Sequence, residues 1–361
     1  RSIRDWVESM DLRRANMEYI DIIRDNSENH SPVAWWPKFA FHYTDVTNAV
    51  SILSSGFLYS RADAANMRVM KNDNASRQVI DMTNSDVVSK VRFYFRPLTP
   101  TQYYNEGYKH PSLRYDGDEN ANVPVPIFLL FDLEKLLALP GVEFSETSQA
   151  GHGARVYSGV EAFSRLNFDY IYDNSFDNFE TTKSYRHAEI VHPKSMAIES
   201  CISNILCRNN LERTTLLNLL REENPLAFAR YQNIIKTYKR DTFENNGVFL
   251  TECSYHANTI NISFSDTYYG KRYIERMMDR IGLDTLKPIK VKVWLKWFNA
   301  RTTVHQESIE AQVDITKPGG VLTITGLPDV PAAKDIGIKV YFDDKLMCYA
   351  IQSLESSEVW R

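Results

Sequence analysis

An α+β chain in two parts is what the sequence predicts, on three observations. Up to about residue 205, short strand-like and helix-like stretches alternate rather than falling into blocks. From residue 211 to residue 361, strand alternation dominates, which gives a second, mixed and β-rich domain. The length of 361 residues is enough for two cores, and 43% apolar with 24% charged residues is the composition of a globular protein.

Residues 1–38 read as a helical N-terminal arm. Ile3, Trp6, Val7 and Met10 share one helical face, Met17, Ile20 and Ile23 form a second stripe, and the helical pattern ends at about residue 25. A loop over 26–37 carries Trp35 and Trp36, whose size favours packing over base stacking. Residues 39–205 then hold the first domain. Its opening stretch, Phe41-His42-Tyr43-Thr44-Asp45-Val46-Thr47-Asn48, is a strand running into a helix. Val46, Val50 and Leu53 recur at helical spacing, Asp45 or Thr44 can cap the first turn, and Gly56 suits a left-handed stop. His42, Thr44 and Asn48 gather at this join beside exposed helix N–H groups. On spacing alone the join is either an ordinary capped corner or a place for a ribose or phosphate.

Residues 62–76 are polar, a helix and a loop, with Arg68 in them and Arg77 just after. Val91-Arg92-Phe93-Tyr94-Phe95 is a strand ended by Pro97 and Pro100, since proline cannot donate to a ladder. Residues 109–122 form a polar loop, 125–132 a buried central strand and 133–139 a short helix, and the turn around His152 is a loop. Tyr185-Arg186-His187-Ala188-Glu189-Ile190-Val191 reads as one strand, with Tyr185, His187, Glu189 and Val191 on one side. A glutamate between apolar residues is solvated, paired or functional, because a lone buried carboxylate is costly.

In the second domain the helical stretches are marked by Leu216, Leu219 and Leu220, by Phe228, Ile234 and Ile235, and by residues 271–281. Strands are expected at 247–252, 258–264, 288–298, 320–325, 339–342 and 346–353. In the clearest of them, Ile289, Val291, Val293, Leu295 and Trp297 face one way, and Lys290, Lys292, Trp294 and Lys296 the other. That second face is either a solvated row guarding a sheet edge or a path for single-stranded DNA, with lysines on phosphates and Trp294 stacking on a base.

The formal net charge of −4 argues against strong non-specific duplex binding but leaves room for a local basic groove. Cys201, Cys207, Cys253 and Cys348 form no CxxC pair and no disulfide framework, which fits a reducing cytoplasm. No apolar run has membrane-spanning length and no signal peptide is visible, although a chain starting at Arg1 leaves room for a removed leader. Metal-ligand spacing, a GxxxxGK loop and a GxGxxG fingerprint are all missing, so no metal is expected and any dinucleotide is held outside a doubly wound fold.

His42-Tyr43-Thr44, Asn48 and the helix ending Ser55-Gly56-Phe57-Leu58 resemble the NAD-binding opening of the DarT family, toxin ADP-ribosyltransferases acting on bases of single-stranded DNA. Phe93-Tyr94-Phe95-Arg96-Pro97-Leu98-Thr99-Pro100 and Tyr185-Arg186-His187-Ala188-Glu189 extend the resemblance over about residues 39–198. It implies an ADP-ribosyltransferase-like split β-core. It also implies NAD as co-substrate, thymine favoured as acceptor, a role in phage defence and a macrodomain antitoxin as partner. Glu189 and an arginine, Arg77 or else Arg68, would be catalytic; His42, Thr44, Asn48 and Tyr94 would bind NAD. Transfer to guanine, RNA or protein, plain NAD hydrolysis, and a non-catalytic nucleic-acid-binding module are the alternatives.

Overall fold

The computed structural model of the chain describes residues 18–67, 88–119, 121–149, 154–237, 240–316 and 319–354. Arg68, Arg77, His152 and the arm before Glu18 lie outside the described residues.

Helix α1 (Tyr19–Asn29) runs past its expected end at residue 25 and buries Ile22 and Ile23. Strand β1 (Phe39–Asp45) passes directly into α2 (Val46–Ser55). Asp45, not Thr44, caps α2 by accepting from the Thr47 N–H at 3.0 Å, and Gly56 closes the helix at φ 72°. Next come β2 (Phe57–Leu58), β3 (Val91–Tyr94), helix α3 (Pro100–Asn105), β4 (Pro126–Asp132) and β5 (Glu143–Ser145). Strands β6 (Glu189–His192), β7 (Met196–Ala197) and β8 (Ile202–Cys207) follow. Helix α4 (Asn210–Glu223) leads on to β9 (Ile235–Thr237).

Seven of these strands form one sheet in the order β5-β6-β3-β1-β4-β8-β9. Its two halves are barely joined. Strand β1 pairs with β4 along its whole length, from Phe39 opposite Asp132 to Asp45 opposite Pro126, but meets β3 at the single pair Phe41–Tyr94. The sheet is therefore split between β1 and β3, in keeping with the split β-core that the family resemblance implies.

The remainder is a second α+β unit. Strands β10 (Leu250–His256), β11 (Thr259–Phe264) and β14 (Val321–Ile324) make one small sheet. Helix α5 (Tyr268–Ile281) precedes β12 (Ile289–Asn299) and β13 (Thr302–Val313). With β15 (Asp335–Phe342) and β16 (Lys345–Ser353) these strands form a four-stranded sheet, ordered β13-β12-β15-β16.

The units interlock more than the sequence led us to expect. Strand β9 joins the first sheet beside β8, well past residue 205, and Phe243 lies in the first core, its ring centroid 5.5 Å from that of Phe128. In return, Tyr108 and Leu113 pack in the second core. Trp36 is fully buried, with its Nε1–H donating to the Asp241 carbonyl at 3.1 Å, so the tryptophan pair is a packing feature.

Candidate active site

The split between β1 and β3 places polar side chains where two half-sheets diverge. Glu189 starts β6 directly opposite Tyr94 of β3, and its side chain is 1% exposed. Alternation puts Arg92 on the same face as Tyr94, and the Arg92 guanidinium pairs with Glu189 Oε1. Glu189 Oε2 accepts from the Gln149 N–H at 3.1 Å, and the Ser148 hydroxyl lies 3.4 Å from Oε1. A buried carboxylate is tolerable only with such partners.

The expected strand over residues 185–191 is corrected by this geometry. Tyr185–His187 is a turn of 3-10 helix, and the strand begins only at Glu189. The reason is local bonding. His187 N–H donates to the Ser184 carbonyl at 3.2 Å and Ala188 N–H to that of Tyr185 at 3.0 Å, which curls the backbone. Arg186 is drawn backwards, donating to the Ser175 carbonyl at 2.6 Å and to the Thr182 hydroxyl at 3.2 Å. Tyr185 and His187 therefore do not continue the Glu189 face as a pleated row.

Arg92 reads from the sequence only as a strand residue, yet it holds the centre of the site. Burial opposes its charge, but the Glu189 carboxylate and Tyr94 more than offset this and hold its pKa above the ordinary arginine value. Burial, then the neighbouring charges of Arg92 and Lys183, depress His187 to about 4. Burial also raises the Tyr94 phenol, with the Arg92 charge opposing the shift and the Glu189 charge adding to it. A signal for Arg92 does lie in the sequence: alternation sets it beside Tyr94, facing a glutamate that needs a partner.

His42 bridges the split from the β1 side. Its Nδ1 lies 3.1 Å from the Arg92 carbonyl oxygen. A carbonyl only accepts, so Nδ1 donates and Nε2 of the neutral ring is left as an acceptor. Burial lowers the His42 pKa despite that carbonyl, which keeps the ring neutral. Thr44 is buried near the end of β1, and Asn48 lies in the first turn of α2. Of the expected residues, His42, Tyr94 and Glu189 thus converge on β3, and Arg92 joins them.

The loop entering β6 is held by a second arginine. Arg96, fully buried 4.6 Å from the Trp36 ring centroid, donates to the carbonyls of Pro97 at 3.0 Å, Ile171 at 3.2 Å and Asp173 at 2.5 Å. Burial lowers its pKa to about 9, and the Ile171 and Asp173 carbonyls among its acceptors fasten the end of β3 to the segment ahead of Glu189.

The lysine row lies in the other sheet. Ile289, Val291, Val293, Leu295 and Trp297 are buried as expected, and Lys290, Lys292, Trp294 and Lys296 are half-buried on the opposite face. Strand β12 is central, flanked by β13 and β15, so the row does not guard an edge. Lys290 pairs with Glu310 at 3.0 Å, and Lys339, which pairs with Glu222 at 3.2 Å, lies 5.3 Å from the Trp294 ring centroid.

Among the described residues no cluster of His, Cys, Asp or Glu could hold a metal ion, and no helix is long and apolar enough to cross a membrane. The family described as "ssDNA thymidine ADP-ribosyltransferase, DarT" matches residues 41–238. No protein of curated function matches the chain. Among solved structures, Thermus sp. 2.9 DarT in complex with ADP-ribosylated ssDNA is similar at 17% identity and a TM-score of 0.47, covering 57% of this chain and 97% of that one. The same Thermus protein in complex with NAD+ aligns at 16% identity and a TM-score of 0.44, covering 57% and 98%. Thermosipho africanus DarTG in complex with ADP-ribose aligns at 15% identity and a TM-score of 0.41, covering 56% and 50%.

Proposed function

This chain belongs to the DarT family of single-stranded-DNA thymidine ADP-ribosyltransferases, and we propose that it transfers ADP-ribose from NAD to thymine in single-stranded DNA. The observation that carries this reading is the buried Glu189 carboxylate at the split of the sheet, paired with Arg92 and opposite Tyr94. Two donors beside it, Arg92 Nε and Gln149 Nε2, are buried without a partner among the described residues. Unsatisfied buried donors are costly, and the ribose and phosphate oxygens of a dinucleotide would satisfy them.

Each residue then has a task. Glu189 accepts a hydrogen bond from a ribose hydroxyl and stabilises the oxocarbenium-like charge that grows as the bond to nicotinamide breaks, its electron pair leaving with the nicotinamide nitrogen. As the base nitrogen bonds to the ribose carbon, Glu189 takes the proton that nitrogen loses. Arg92 fixes the carboxylate orientation, and Tyr94 lies against the nicotinamide side. His42, through Nε2, accepts from the adenosine part, with Thr44 and Asn48 beside it. Arg77, or else Arg68, is the cation proposed to orient the acceptor or hold a phosphate.

Single-stranded DNA is the cheaper target, because a base in a duplex must first be unpaired. Such a modification blocks templating, which suits a toxin held in check by a macrodomain antitoxin that removes it. We place the reaction in the cytoplasm, where NAD and DNA occur together.

The test is mass spectrometry of a mixed-sequence oligonucleotide incubated with the protein and NAD, then of oligonucleotides in which each base is replaced in turn. One ADP-ribose added only where thymine is present is the expected result. Glu189→Gln should slow transfer by about 10²–10⁴-fold, the range for a positioned acid–base group, with NAD still bound. NAD consumed with no DNA adduct would make the protein a hydrolase.

A further inference from the structure

The family match ends at residue 238, yet a row of aromatic and basic side chains runs from helix α3, just after the active-site strand β3, onto helix α5, far beyond it. It starts on α3, which is joined to the Tyr94 end of β3 by residues 95–99. Helix α3 carries Tyr103 and Tyr104, with ring centroids 5.2 Å apart, and the Tyr115 ring lies 4.3 Å from that of Tyr104. Helix α5 closes against these rings. The Arg276 guanidinium sits 5.2 Å from the Tyr103 centroid and that of Arg280 5.7 Å from Tyr115.

Both arginines are exposed, and neither pairs with a carboxylate among the described residues. Four-residue spacing puts Arg272, Arg276 and Arg280 along one side of α5, with Arg272 only 3.7 Å from Glu275. At the N-terminal end of the same helix, Tyr268 and Tyr269 are 69% and 63% exposed, although large aromatic side chains ordinarily seek cover. Guanidinium groups interleaved with accessible aromatic planes are what single-stranded nucleic acid recognition uses: the cations hold phosphates and the rings stack on bases. The charges of the lysine row on β12 are partly spent, since Lys290 is paired with Glu310.

We propose that α5, with the tyrosines of α3 and Tyr115, binds the single-stranded DNA that flanks the base at Glu189. The proposal rests on the reading of single-stranded DNA as substrate. It gives the second unit a purpose that the family match does not reach: a track of about 20 Å, from 14 helical residues at about 1.5 Å each.

The test uses the full chain and two probes, a fluorescent 20-nucleotide single strand of mixed sequence and a thymidine-containing tetranucleotide too short to leave the active site. Arg276→Gln with Arg280→Gln should weaken 20-mer binding about tenfold at low salt. It should also lower the slope of log affinity against log salt by about 0.7 for each phosphate left without its cation. Modification of the tetranucleotide should stay at the wild-type rate. Tyr268→Ser with Tyr269→Ser, two exposed changes that leave the core intact, should weaken the 20-mer by a similar factor by removing stacking planes. Unchanged 20-mer affinity and salt slope in both variants would overturn the proposal, as would failure of the wild-type chain to bind the 20-mer. If wild-type protein modifies neither probe but its 20-mer binding still depends on the arginines, the transferase reading fails and the DNA track stands.

Discussion

Arg92 acts on both the glutamate and a histidine. It pairs with the Glu189 carboxylate, and its charge helps to hold His187 neutral. The second effect has a consequence for stability. An unfolded histidine takes its proton near 6.5, whereas His187 in the fold takes one at about 4. Between those values the unfolded chain binds more protons, so stability rises with pH across the window and is lost as pH falls from about 6.5 towards about 4. The full effect is on the order of 3 kcal/mol. His187→Asn should remove that share of the acid sensitivity, so its melting temperature should fall less than that of the wild type between neutral pH and about pH 5. Equal falls in the two proteins would mean that His187 does not titrate in this window. At this scale the sequence marks Glu189 as needing a partner, and Arg92 is legible only through its alternation with Tyr94 on the same strand face. The ion pair observed is formed by Arg92, two residues before Tyr94, whereas the arginine implied by the resemblance, Arg77 or else Arg68, would contact NAD and lies outside the described residues.

Elements whose burial follows a simple pattern, one face or both, are legible in the sequence, and those without such a pattern are not. Strand β12 alternates strictly, and β4 is buried throughout, so both announce themselves. Strand β13, the partner of β12 at the sheet edge, gives no such signal, because Thr302–Val313 is exposed for most of its length and carries polar residues on both faces. The turn at Tyr185–His187 is hidden for another reason. Its alternation mimics a strand, while contacts distant from it in sequence decide its shape; Arg186 reaching the Ser175 carbonyl is one of them. Finding β12 in the middle of its sheet bears on the lysine row, which we propose as a weaker second contact for DNA. Lys290 is already paired with Glu310, whereas Lys292 and Lys296 form no ion pair among the described residues, so Lys292→Gln with Lys296→Gln is the informative change. If the row meets the strand, the salt slope of binding should fall by about 0.7 for each phosphate no longer neutralised, and NAD hydrolysis without DNA should not change. A slope equal to that of the wild type would leave the row as a half-buried, solvated face.

For the whole molecule, the question is whether the two units are independent, as a boundary between residues 205 and 211 implies. Their junction is charged, buried and bonded from both sides. Glu106 of the first unit is fully buried and accepts from the Gln102 side chain at 2.7 Å and from the N–H groups of Glu244 and Asn245, each at 2.9 Å. Arg208 reaches Glu106 at 3.3 Å and Glu212 at 2.5 Å, with its guanidinium 3.7 Å from the Phe249 ring centroid. Lys109 donates to the Asn246 side chain at 2.6 Å and lies 3.5 Å from the Tyr273 ring centroid. Beside this cluster the two backbones touch: Tyr108 and Val248 exchange N–H···O bonds of 2.8 and 3.0 Å. That approach is open only to glycine, since a Cβ on Gly247 would stand 2.3 Å from the Glu106 carbonyl oxygen and 2.6 Å from the Gly107 Cα. Gly247→Ala must push the strands apart, and it should break the Tyr108–Val248 pair and loosen the Glu106 cluster together. Extra atoms forced into a packed site cost about 1–3 kcal/mol, occasionally more, a sizeable share of the stability of an ordinary domain. The expected outcome is a lower melting temperature, with faster amide exchange at Tyr108, Val248 and Asn245 than at the β1–β4 ladder. A variant with wild-type melting and unchanged exchange at those amides would show that the junction accommodates the added methyl group without opening.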